Sequence, residues 1–230
     1  MRHPGYLRTN RRLVSPSTRR RAPRTTEPRQ DRAIRTRKRV LCAAAELFAD
    51  RGYAHTSIQD VADKVEMTKG AVYFHFPTKE TLALAIVDAH YATWPAVLKQ
   101  AQHQSSSPLE AVFEATNLAA QAFRDDPIVR AGARLQVEYS LIDTALPVPY
   151  VGWIQALTVL LERAQSHGQL RQGIEPASAA AVIVSSFFGA QHISTRLHNS
   201  VDLVERWNEA RDLIHYSLTP PELRSDKPQR

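Results

Sequence analysis

From residue 31 to residue 218 the apolar residues recur at every third or fourth position, and no segment alternates convincingly with a period of two. That pattern restricts the chain to helices packed on helices, because an amphipathic helix must bury its apolar stripe against another element. Breaks in the pattern carry helix-ending and helix-starting chemistry. Ile34, Leu41, Ala45 and Phe48 give one apolar face up to about residue 51, where Gly52 is placed to end the helix as a left-handed cap. Ser57 and Asp60 resemble a capping box opening a short helix with Ile58, Val61, Ala62 and Val65 inward. Thr68 caps a third, equally short helix, and Thr78 starts a long one in which Pro95 should produce a kink.

Beyond the Ser105-Ser106-Ser107-Pro108 break, Leu109, Val112, Thr116, Ala119 and Phe123 share one face. Asp126-Pro127 reads as a cap followed by proline in the first turn, opening a helix to about residue 140. Further helices are expected over 150–167, 176–195 and 201–218, the second of them apolar enough to be buried. The expectation is an all-α chain of about nine helices. It divides into an unstructured Arg-rich arm (1–30), a short-helix domain (31–80), a larger helical domain (81–218) and a polar tail (219–230).

Charge narrows the function. The chain carries a formal net charge of +7. Residues 1–39 hold 13 Arg and one Lys against Glu27 and Asp31, a local +12, so the rest is acidic at −5. A basic N-terminus on an acidic body points to a polyanion partner at that end. The prolines of the arm argue against the amphipathic helix of a transit peptide, and the arm lacks a secretory apolar run. One Cys excludes a disulfide framework or a Cys-based zinc site; Cys42, in an Ala-rich run, is read as packing. No stretch reaches about 18 apolar residues, so no membrane helix is expected. The histidines show no tight metal spacing, and there is no Walker loop, nucleophile elbow or Rossmann glycine pattern. The chain is therefore expected to be cytoplasmic, without cofactor, metal site or catalytic residues.

The second and third helices, joined through Glu66-Met67, have the proportions of a helix-turn-helix, whose second helix enters the major groove of double-stranded DNA. With Val72 and Phe76 inward, Thr68, Lys69 and Tyr73 face outward in Thr68-Lys69-Gly70-Ala71-Val72-Tyr73-Phe74-His75. Lys69 supplies a cation, Tyr73 a phosphate donor or a partner for a thymine methyl, and Gly70 lets the backbone approach a phosphate. Thr56 and Lys79 stand at helix starts, where phosphate is attracted, and His75 closes the segment.

The residues AAAELFADRGYAHTSIQDVA (43–62) and TKGAVYFHFPTKE (68–80) resemble the N-terminal domain of TetR-family transcriptional repressors. TKGAVYFHF followed by KE is most similar to γ-butyrolactone-type autoregulator receptors of actinomycetes. DDPIVRAGARLQ (125–136) and LPVPYVGW (146–153) are similar to the subgroup that includes the methylenomycin furan receptor. The resemblance implies a homodimeric repressor of palindromic operators, released by a small furan, γ-butyrolactone or butenolide and acting on antibiotic-biosynthesis genes. The Arg-rich arm is longer than is usual in the family, so its role is not carried over. A multidrug-responsive repressor, or a pseudo-receptor that binds no autoregulator, shares the same fold.

A regulatory pocket is mostly apolar with a few placed polar groups. Tyr91 lies on the helix leading away from the short pair, Gln136 near Leu135 and Tyr139, and Tyr150 and Trp153 three apart on one face. In autoregulator receptors a Trp at the matching place lines the pocket. The expectation is that Tyr91, Gln136 and Tyr150 hydrogen-bond the ligand while Trp153 packs on it; otherwise these are core or surface residues. Phe187, Phe188 and Gly189, with the helix of Leu203, Trp207, Leu213 and Ile214, are expected to pair across a two-fold axis as a four-helix bundle.

Overall fold

The structure, a computed structural model, describes residues 29–224. The arm and the end of the tail therefore lie outside the described residues, except that residues 29 and 30 already belong to the first helix. Nine α-helices follow one another: α1 (Arg29–Arg51), α2 (Ile58–Lys64), α3 (Lys69–His75), α4 (Lys79–Gln104), α5 (Pro108–Asp125), α6 (Pro127–Val137), α7 (Val151–Ser166), α8 (Pro176–His198) and α9 (Leu203–Leu218). Two 3-10 turns, Tyr139–Leu141 and Pro221–Leu223, complete the described residues, which contain no strand.

The boundaries have local causes. Gly52 takes φ +84° and ends α1. Ser57 and Asp60 form a reciprocal capping box on α2, and Thr68 accepts the Ala71 amide at the head of α3. Ser107 and Asp126 cap α5 and α6, each with proline in the first turn. α6 stops at Val137, earlier than expected, and the chain tightens into the 3-10 turn.

Two apolar cores are built on α4. Leu82, Ile86 and Val87 join Val40, Phe48, Val61, Val72 and Phe76 in the N-terminal core, to which α6 adds Ala131 and Leu135. Trp94 and Ala101, farther along, join Phe123, Leu157, Ile183, Phe187 and Trp207 in the larger core. Each fully buried large side chain contributes about 1.5–3 kcal/mol. Pro95 lies inside α4, where it cannot donate to the carbonyl of Tyr91 one turn back. Ile34 departs from its expected inward role: it is 59% exposed, because no element covers the first turns of α1.

The expected pairing residues need correction. Phe187, Leu203 and Trp207 are buried inside the protomer. The Phe187 ring stands 5.1 Å from Trp207, and Trp207 Nε1 donates to Thr116 Oγ1 at 3.2 Å. Phe188 is half-buried and meets Tyr150, with ring centroids 4.5 Å apart. Gly189 alone of the α8 trio is exposed. It falls on one stripe with Val182, Ile193 and Leu197, all exposed; α9 exposes Leu213 and Tyr216. α8 is apolar on more than one face, so periodicity alone did not tell core from surface. It is also the one helix among the described residues long and apolar enough to cross a membrane. Here it packs against α7 and α9.

Candidate functional site

α2 and α3 form a compact head on α1. Lys64 pairs with Glu46 at 2.8 Å, Arg39 donates to the Val65 carbonyl, and Glu66 makes the turn with φ +55°. Val72 and Phe76 are buried, which turns Thr68, Lys69, Gly70 and Tyr73 outward, all exposed. Lys69 Nζ lies 5.7 Å from the centre of the Tyr73 ring, so cation and aromatic sit side by side on one face. Nothing stands within 4 Å of a Cβ built on Gly70, leaving that backbone open to a partner. His75 is half-buried and edge-on to Phe74. Phe74, which the sequence reading did not single out, is 82% exposed, more than any other large apolar residue described. Its signal was the alternation with buried Val72 and Phe76.

Two of the expected phosphate contacts have other partners. Thr56 is 2% exposed, and its hydroxyl is within donating distance of the Gly52 and Leu47 carbonyls. It braces the turn after α1 and cannot reach a phosphate, which corrects the expectation. Ser57, its neighbour, caps α2. Lys79 holds its ammonium 4.0 Å over the Tyr53 ring, and burial pulls its pKa below the usual lysine value. Tyr53 OH donates to Glu80 Oε1 at 2.8 Å; burial and the Glu80 carboxylate hold the phenol well above its ordinary pKa.

Farther along α4 a cavity of about 640 Å³ opens between α4, α6, α7 and α8. It brings together Tyr91, Gln136, Tyr150 and Trp153, drawn from separate elements. Gln136 Nε2 donates to Tyr91 OH. Tyr150 precedes α7 in a left-handed conformation, φ +69°, rare for an aromatic residue and costing about 1–2 kcal/mol. That backbone sets its ring against Phe188 at the cavity wall.

Trp94 and His90 belong to the same wall and were missed, although they share a face of α4 four residues apart. Trp94 and Trp153 meet at 5.2 Å between ring centres, 6% and 8% exposed. Neither indole N–H has a hydrogen-bond partner among the described residues. A buried donor left unsatisfied costs about 1–3 kcal/mol, and both nitrogens are closed off from solvent by the packing around the two rings. His90 Nδ1 stands 3.0 Å from the Val129 carbonyl, which makes it the protonated nitrogen and leaves Nε2 an acceptor. Burial pushes the His90 pKa down to about 4, so the ring is neutral.

That depression has a consequence for stability. Between about pH 6.5 and 4 the unfolded chain binds a proton at His90 that the folded chain refuses, so stability falls as pH drops through this window. The loss from pH 7 to pH 5 should be on the order of 1–2 kcal/mol. Urea unfolding at the two pH values checks it: His90→Gln should flatten the difference, and an unchanged difference would refute the assignment.

Comparison with known proteins places these features. The profile of bacterial regulatory proteins of the tetR family matches residues 40–86, and that of the tetracyclin repressor-like C-terminal domain matches residues 106–220. A structure solved as a molecular basis for control of antibiotic production by bacterial hormones is 54% identical. The match covers 81% of this chain and 98% of that one, with a TM-score of 0.76. CprB from Streptomyces coelicolor, solved in complex with its biological operator sequence, is 31% identical over 83% of this chain and 91% of that one, with a TM-score of 0.73. The A-factor receptor protein of Streptomyces griseus is 35% identical over 175 residues, 76% of this chain; the match spans 60% of that protein's length. With its helix-turn-helix head, its helical second domain and matches across both, the chain belongs to the TetR family of bacterial regulatory proteins.

Proposed function

We propose that this protein is a ligand-responsive transcriptional repressor. As a homodimer in the cytoplasm it binds a palindromic operator in double-stranded DNA and is released by a small signalling molecule, a furan, γ-butyrolactone or butenolide, in the control of antibiotic biosynthesis. The observation that carries this reading is that one helix, α4, serves both sites. It begins beside the reading helix and, at Tyr91 and Trp94, forms the wall of the cavity that also holds Gln136, Tyr150 and Trp153. The CprB–operator complex and the A-factor receptor support the DNA and ligand halves respectively. Thr68, Lys69, Gly70 and Tyr73, with His75, form the DNA face; Lys79 braces it from α4. The exposed stripe of Val182, Gly189 and Ile193 on α8, with Leu213 and Tyr216 on α9, supports pairing of two copies.

A ligand releases DNA only by binding the DNA-incompetent arrangement more tightly. In the dimer, two heads must match a fixed groove spacing, so a small tilt of α4 driven from Tyr91 separates them from the operator. The experiment is selection of operator duplexes with the full chain, followed by a release assay with synthetic lactones, butenolides and furans. Tyr150→Phe should raise the inducer concentration needed for release about tenfold, the worth of one hydrogen bond, while operator affinity stays put. A variant that responds like wild type would remove Tyr150 from the ligand site. Failure to enrich any duplex would defeat the repressor reading.

A further inference from the structure

The cavity wall and the DNA-binding domain are joined at a second place, through the last turn of α6. Arg134 Nε donates to Glu138 Oε1 at 2.9 Å, and its Nη1 donates to the Ala49 carbonyl, also at 2.9 Å. Glu138 Oε2 accepts the backbone N–H of Tyr53 at 2.6 Å. The Ala49 carbonyl is one of those the end of α1 leaves without a partner inside the helix. Both contacts join residues 85 apart in sequence. Gly52, at φ +84°, sits between them: a Cβ there would lie 2.6 Å from Glu138 Oε1 and 2.7 Å from Arg134 Nη2, so a larger residue would push the two side-chain ends aside.

Three features make this more than a structural tie. Ala49, Asp50, Arg134 and Glu138 line the cavity, and Gln136, the partner of Tyr91, lies between the two charged residues. α6 is pinned to α4 farther back, where Gly132 allows so close an approach that a Cβ there would lie 2.3 Å from His90 Cβ. Tyr53 is the meeting point: its N–H goes to α6, its hydroxyl to Glu80 at the start of α4, and its ring carries Lys79. A shift of α6 at the cavity therefore reaches the chain entering α2 and the start of α4 through direct bonds.

We propose that Arg134 and Glu138 are positioning residues that form a latch. Closed, it holds the α1–α2 turn and the reading head in the DNA-competent setting, and the cavity governs it through Gln136. This rests on the repressor reading above. Paired, half-buried charges suit a two-state contact, because removing one partner leaves the other with unmet hydrogen bonds.

The test uses the full chain and an operator enriched from random duplexes. It reads operator affinity and amide hydrogen exchange over residues 49–53. Operator should slow exchange in that segment of the wild type. Glu138→Ala should weaken operator binding about tenfold, within the range of ordinary allosteric coupling, and erase the exchange response. Glu138→Gln keeps an oxygen for the Tyr53 amide and should recover most of the affinity. Tyr91→Phe, inside the cavity, should speed exchange over 49–53 without touching that segment. If Glu138→Ala fails to fold, the Gln and Tyr91 variants decide. Wild-type operator affinity in Glu138→Ala, or exchange over 49–53 indifferent to both operator and Tyr91→Phe, would overturn the latch. If no duplex is enriched, the repressor reading fails first, before any variant is compared.

Discussion

Trp207→Ala should destabilise the fold by about 3–5 kcal/mol, the cost of emptying a fully buried tryptophan site. The indole is 0% exposed, stands against Phe187, and donates to Thr116 Oγ1 across 91 residues of sequence. Truncation removes apolar contact and leaves a buried hydroxyl with one partner fewer, while α8 and α9 cannot close the gap without moving their outer faces. Chemical denaturation of the wild type and variant measures the loss. The contrasting variant is Leu213→Glu, whose side chain is 76% exposed. It should leave the protomer folded and weaken self-association, read by light scattering. If Trp207→Ala instead gave a stable monomer, the indole would belong to the interface and the assignment of faces on α9 would be reversed.

Lys69→Ala and Tyr73→Ala should each weaken operator binding by about 1–3 kcal/mol if the side chain contacts a base edge. Lys69 and Tyr73 are exposed and side by side, while Val72 between them is buried. They can therefore be cut back without touching the core of the head. A phosphate-only contact would show a smaller, sequence-independent loss and a shallower salt dependence. Anisotropy titrations against the selected operator and a scrambled duplex, at two salt concentrations, distinguish these outcomes. Equal wild-type affinity for both duplexes would sink the claim of specific reading.

What the sequence determined by itself was local. The caps at Ser57, Thr68, Ser107 and Asp126, the glycine at 52 and the prolines at 108, 127 and 176 act within three or four residues, and the helices begin and end near where these signals stand. The inward and outward faces of α3 followed from the same short spacing, as did the shared face of Leu109, Val112, Thr116, Ala119 and Phe123, all buried. The tertiary structure decided everything that depends on which partner a face meets. Periodicity marked Phe187 and Trp207 as apolar without saying whether they face their own protomer. The same spacing put Ile34 on an apolar stripe that nothing covers. Thr56 stands before a helix, where a hydroxyl could meet a phosphate, yet it turns inward to carbonyls of the preceding turn. The cavity gathers Tyr91, Trp94, Gln136, Tyr150 and Trp153 from three helices and a loop. The Arg134–Glu138 grip on Ala49 and Tyr53 closes a separation of 85 residues. Caps and stripes are energies of neighbouring residues and can be read from their order. The facing of α8 and the convergence on the cavity are set by helices competing to cover one another, which no short stretch of sequence contains.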